Sequence, residues 1–170
     1  MVSVLSLTAA PAWAAADPGT AAREIEQQFR RGEASQAQAR LAVALSQHPD
    51  DTSLRFLKAV LLSETGHSAE AAALFERLTQ EFPDLPEPYN NLAVLQAAAG
   101  KLDAARELLE TALRLDPAYR TAHANLGDVF VRLAQRAFEA AAVPRSAANP
   151  RIDGDLSHKL RLVRELAASR

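Results

Sequence analysis

Apolar residues recur every three or four positions through most of this chain. Leu74, Phe75 and Leu78 form one such set, and Leu108, Leu109, Ala112 and Leu115 another. That spacing lays one apolar stripe along a helix. No run alternates apolar and polar residues with β-branched enrichment, so no strand is expected and the fold class is all-α. The helical runs are punctuated at a fixed interval: Pro49, Pro83 and Pro117 stand 34 residues apart, and so do Gly32, Gly66 and Gly100. Ala37, Ala71 and Ala105 keep the same period, as do Leu41, Phe75 and Leu109, and Ala44, Leu78 and Ala112. Agreement among so many columns marks an internal repeat. Within a helix–turn–helix unit each column has a physical task. Glycine ends the first helix, where a left-handed residue is wanted. Alanine lets two helix backbones approach, the larger Leu or Phe fills the hole beside it, and proline stops the second helix.

With these columns in place the chain resembles the tetratricopeptide-repeat (TPR) family, whose units are 34 residues long with Gly, Ala, an aromatic and Pro at such spacings. The third repeat, residues 86–119, matches best, with Tyr89, Leu92, Ala93, Gly100, Ala105, Leu109, Ala112 and Pro117 on pattern. The second, residues 52–85, carries Arg55 where an aromatic is usual. The first, residues 18–51, has Glu24 and Gln28 where large apolar residues normally stand. A fourth begins well with Leu126, Gly127 and Phe130, but Ala134 occupies the next glycine column, so its first helix is expected to run on to about Val143. The resemblance thus implies a right-handed α-solenoid of antiparallel helix pairs over residues 18–143, with three full repeats and a partial fourth at 120–143. Pro144, Asn149, Pro150 and Gly154 predict a loop over 144–154. A final amphipathic helix is expected over 155–168, with Leu156, Leu160, Val163 and Leu166 on one side, as the cap a terminal repeat requires.

Composition changes abruptly near the start. Residues 1–16, MVSVLSLTAAPAWAAA, are apolar and uncharged. They are too short to span a bilayer and read as a secretory signal with Ala12-Trp13-Ala14 as the small-x-small cleavage pattern, although no Lys or Arg precedes the apolar run. An exported, periplasmic location follows from that reading, and a cytoplasmic one if the segment is instead a helix packed on the first repeat. Elsewhere 19 basic residues against 21 acidic ones leave no basic patch for nucleic acid or an anionic membrane surface. The absence of cysteine removes disulfides, thiolate metal sites and cysteine nucleophiles together. His48, His67, His123 and His158 show no metal-ligand spacing, and no phosphate loop or nucleophile elbow occurs, so no catalytic residue, metal or cofactor is expected.

Function is therefore sought in binding. In the resembled family, partner peptides lie in a groove lined by the first helix of each pair. Helical spacing places Asn90, Asn91 and Val94 there from the third repeat, with Glu87 and Ala98 beside them. The fourth repeat supplies Asn125, Asp128 and Arg132, with Thr121, and the second supplies Phe56 and Val60, with Glu64. Asn91 and Asn125 stand one repeat apart, and in the family an asparagine at this place hydrogen-bonds the backbone of a bound peptide. A side-chain amide both donates and accepts. It serves equally well as a generic repeat residue. The family's carboxylate-clamping subtype uses two Lys, two Asn and an Arg. Here those places hold Phe56, Val60, Asn91, Thr121 and Asn125, so only Asn91 fits. The partner expected is another protein or an extended peptide, with no nucleic acid and no membrane span. Weak self-association through the repeat ends is the structural alternative to an adaptor.

Overall fold

The computed structural model describes residues 17–142 and 150–168, and all secondary structure within them is helical. Eight helices follow in order: α1 (Pro18–Arg30), α2 (Ala34–Gln47), α3 (Thr52–Glu64), α4 (Ser68–Glu81), α5 (Pro86–Ala98), α6 (Leu102–Leu115), α7 (Arg120–Ala141) and α8 (Pro150–Ala168). The expected signal segment, 1–16, and residues 143–149 of the expected loop lie outside the described residues.

The glycine and proline columns act as helix punctuation. Gly32, Gly66 and Gly100 all adopt positive φ, at 86°, 84° and 78°. After each, the next amide reaches back five residues, as Lys101 N does to Gln96 O at 2.9 Å and His67 N to Leu62 O at 2.8 Å. This is the six-to-one bond of a Schellman ending, which requires a left-handed residue just past the helix. The prolines follow the ends of α2, α4 and α6. Asp17 and Asp51 cap α1 and α3 by accepting from Thr20 N at 3.1 Å and Leu54 N at 2.9 Å.

The chain forms two compact units, divided within α4 between Leu74 and Phe75. In the first, Ile25, Ala37, Leu41, Ala44, Leu54, Leu57 and Leu61 make one buried cluster. The alanines let α2 approach its neighbours while the leucines fill the space between. Glu24 and Gln28, the two misfits of the first repeat, join a polar seam instead of an apolar one. Gln28 is only 7% exposed. Its Nε2 donates to Glu33 Oε2 at 2.9 Å and Gln36 Oε1 at 3.0 Å, and its Oε1 accepts from Arg40 Nη1 at 3.0 Å. Arg40 Nη2 also reaches Glu24 Oε2 at 3.0 Å. A buried amide is tolerated when its hydrogen bonds are made, as they are here.

The second unit has an apolar core of its own. Ala93, Leu102, Ala105, Leu109, Ala112, Ala122 and Val129 form its buried cluster, with Tyr89, Leu126 and Leu133 packed against it. The Tyr89 hydroxyl donates to Thr79 O at 3.2 Å, tying α5 to the end of α4. α7 passes through Ala134 without turning and reaches 22 residues, against 13 for α5, because no glycine stands there to reverse the chain. Arg136 fastens it to Asp103 of α6 at 2.9 Å. α8 begins at Pro150, five residues before the expected start. Proline suits a first helical position because its missing amide proton would have no partner there, and Gly154 is carried inside the helix. Leu156, Leu160 and Val163 are half-buried, whereas Leu166 is exposed, off the expected stripe, and Ala167 takes the half-buried place beside it. α8 is held to α7 by Arg164 on Glu139 Oε1 at 3.0 Å. Bonds from Gln135 and then Arg164 keep the Glu139 carboxyl below the usual glutamate range.

Candidate functional site

The second unit encloses the clearest candidate. α5 and α7 are the first helices of successive repeats, and α6 packs between them, so a trough runs over the gap that α6 floors. Ala93, Val94, Ala97 and Ala98 of α5, Leu109 of α6, and Asn125, Asp128, Val129 and Arg132 of α7 line a cavity of about 300 Å³. The hollow exists because the α5 wall is built of alanines; a larger side chain at Ala97 or Ala98 would fill it. Its floor is apolar and its rim polar. Val94 is 45% exposed, an aliphatic side chain left in water at the lip.

Of the residues singled out from the sequence, Val94, Asn125, Asp128 and Arg132 meet around this cavity. Asn90 does not line it. That side chain is buried, at 4% exposure, and its Oδ1 accepts from Asn125 Nδ2 at 2.8 Å across the two helices. The expectation of a groove-facing Asn90 is therefore corrected: with Ala93 and Ala97 it belongs to the stripe packed nearer α7. Asn91 lies one turn before Val94 and is half-buried, and its Nδ2 donates to Glu87 O of its own helix at 2.9 Å. Both asparagines expected to contact a peptide thus already donate internally. Phe56 and Val60 are half-buried on α3 of the first unit and are not part of this lining.

Glu87 stands at the opposite end of the α5 stripe from Ala98. It faces the start of α7: burial above all, then the charges of Glu87 and Asp116, push the Tyr119 phenol above its ordinary range. Among the described residues no ion pair joins Glu87 or Arg132. Ala93, Ala97, Leu109 and Val129 were not anticipated as site residues, since their periodicity reads equally as core.

The first unit carries a separate hollow of about 560 Å³, lined by Leu41, Ala42 and Leu45 of α2, Lys58, Leu61 and Leu62 of α3, and His67 and Glu70 at the start of α4. Nothing in the sequence distinguishes these positions from ordinary helix-packing residues. Among the described residues no cluster of His, Asp or Glu has the geometry to hold a metal ion, and no helix is long and apolar enough to cross a membrane.

Comparison with known proteins agrees with this architecture. The family model described as tetratricopeptide repeat matches residues 28–95 and 64–126, which together span more than half of the chain. Among solved structures, the TPR domain of Sgt2 from Aspergillus fumigatus aligns with a TM-score of 0.65 at 19% identity, covering 83% of this chain and 95% of that one. TTC0263, a thermophilic TPR protein of Thermus thermophilus, gives 0.62 at 17% identity, covering 89% and 84%. The first TPR of Spaghetti (RPAP3), solved with the HSP90 peptide SRMEEVD, gives 0.59 at 19% identity, covering 66% and 89%. At these identities the likeness concerns the fold.

Proposed function

This chain belongs to the tetratricopeptide-repeat family, and on that footing we propose that it is a protein-interaction adaptor whose second unit binds an extended segment of a partner in the trough between α5 and α7. The observation that carries this reading is the cavity itself: a largely apolar hollow walled by alanines, an aliphatic lip at Val94, and polar groups at Asn125, Asp128 and Arg132 on the α7 wall. Pockets that bind ligands combine such apolar walls with a few placed polar groups. A similar TPR structure holding a peptide supports the same use of the fold. Contacts to a preformed surface, made largely through main chain, give modest affinity and broad tolerance of sequence. Catalysis has no part in this reading, because the trough brings together no nucleophile and base.

The apolar segment at 1–16 supports a further element of the proposal: the adaptor works in an exported compartment, such as a bacterial cell envelope, and serves an assembly there. Two measurements test the whole. Partners are captured from native extract with the chain and with a Val94→Glu variant, which places a charge at the lip. Loss of a specific partner in the variant supports the trough, and unchanged capture sinks it. Cell fractionation with N-terminal sequencing tests export: an intact N-terminus in the cytoplasm refutes it.

A further inference from the structure

The trough's polar groups define more than a place to bind. Asn125 donates one N–H to Asn90, and this bond fixes which way its planar amide faces. The carbonyl is then the branch turned away from Asn90, and among the described residues nothing donates to it. Asn91 is held likewise by its bond to Glu87 O, with its own Oδ1 left without a donor. Of the two, Asn125 lines the cavity and offers its acceptor there, while Asn91 lies one turn before Val94 on the same helix, outside that lining. An extended chain meets such an acceptor with a main-chain N–H group.

Charge orders the rest. The stripe Glu87, Asn91, Val94, Ala98 follows one face of α5, and Ala98 and Arg132, which hold equivalent positions one repeat apart, both line the cavity. The eleven residue steps from Glu87 to Ala98 rise about 16 Å at 1.5 Å each. About five residues of extended chain cover that length at 3.3 Å each. Along the trough the order is carboxylate, amide acceptors, apolar hollow, guanidinium. On the cavity lining itself the charged residues are Asp128 and Arg132, one helical turn apart on α7, and Glu87 stands beyond the lining on α5.

We propose that the trough selects an extended segment of about five residues in which an aliphatic side chain, seated over Ala97 and Val129, lies between a basic residue at Glu87 and an acidic one at Arg132, with a main-chain N–H given to Asn125. In this scheme Asn90 is a positioning residue: it touches no ligand and sets the direction of the Asn125 carbonyl. The inference rests on the adaptor reading above, and adds the chemistry of the segment.

The test titrates the full chain, labelled with ¹⁵N, with two capped pentapeptides, acetyl-Lys-Ser-Val-Ser-Glu-amide and acetyl-Glu-Ser-Val-Ser-Lys-amide. They cover both chain directions. One order should shift the Asn125 side-chain amide and the Val94 and Val129 backbone signals, and bind at least tenfold more tightly than the other. N-methylation of one central amide should weaken that peptide about tenfold, as expected for one lost hydrogen bond, while methylation of its neighbours costs less than threefold. Asn90→Ala should abolish the sensitivity to methylation, and Asn90→Asp, which keeps an oxygen toward Asn125, should retain it. Equal binding of both orders, or tolerance of methylation at every central amide, overturns the inference, and the peptide comparisons hold even if an Asn90 variant fails to fold. If neither peptide moves the trough signals while partner capture still depends on Val94, the segment chemistry is wrong and the adaptor reading stands. If capture is also independent of Val94, both fall.

Discussion

Gln28 in the first unit and Asn125 in the second are side-chain amides on the first helix of a repeat, and the protein uses them in opposite ways. Gln28 is packed into the α1–α2 seam with both amide atoms engaged by Glu33, Gln36 and Arg40. Asn125 spends one N–H on Asn90 and leaves its carbonyl unfilled beside a cavity. The residue type does not distinguish the roles; the number of partners within reach does. An amide closed off inside is structural, whereas one held in a fixed direction with an atom left open is prepared for a ligand.

The largest effect that sharpens this contrast comes from the apolar core of the second unit. Leu109 is buried and also floors the cavity, so Leu109→Ala should cost ~2–5 kcal/mol, measured as a lower urea midpoint, and enlarge the hollow. Next comes Gln28→Ala, which removes the acceptor of Arg40 Nη1, leaving that guanidinium its bond to Glu24, and takes the Gln28 donor from the Glu33 and Gln36 oxygens. It should cost roughly 1–3 kcal/mol, while leaving peptide binding by the second unit unchanged. A smaller loss for Gln28→Ala than for an exposed substitution such as Gln27→Ala would break the claim that the polar seam holds the first repeat. Asn125→Ala should be milder for stability, on the order of 1 kcal/mol, yet remove the methylation-sensitive contact. A double-mutant cycle with Asn90→Ala should show the two residues coupled. Val94→Glu is expected to change stability by less than about 0.5 kcal/mol, as exposed substitutions do, and to affect binding alone.

The smallest expected effect is at the α7–α8 contact. The Glu139 carboxyl is held below its ordinary range, first by Gln135 and then by Arg164. A lowered folded-state pKa means that the contribution is complete above the ordinary glutamate range and disappears as pH falls through the lower, folded value. α8 amide signals should therefore move toward those of a loosened helix only in acid below that range. An Arg164→Gln variant should show the loosening already near neutral pH. Exposed pairs of this kind are worth little individually, so a chemical-shift titration of Glu139 is the suitable measurement, and a normal titration midpoint there would contradict the assignment.

Much of the fold is legible along the chain. Gly100 at positive φ, Pro117 after α6, and Ala105 and Leu109 in the core all follow from local rules with a period of 34. The site is legible only in part. Asn125, Asp128 and Arg132 share a face of α7, and Val94 holds the equivalent face of α5, as spacing reveals, but Asn90 and Asn91 are adjacent amides, and helical spacing cannot say which one a neighbouring helix will cover. The start of α8 is hidden because Pro150 and Gly154 look like turn residues, although a proline is well suited to a first helical turn. Gln28 looks like a defect because a sequence does not display Arg40 and Gln36 arriving from α2.

Whatever depends on one residue and its near neighbours can be read from the chain: helix stops at glycine and proline, alanine at close crossings, and an apolar stripe every three or four positions. Which polar atoms are satisfied is settled by the assembled helices. Hydrogen bonds such as Asn125 to Asn90 or Arg40 to Gln28 join separate helices and depend on atoms lying about 3 Å apart, a distance that the packing of whole helices sets and that no local pattern encodes.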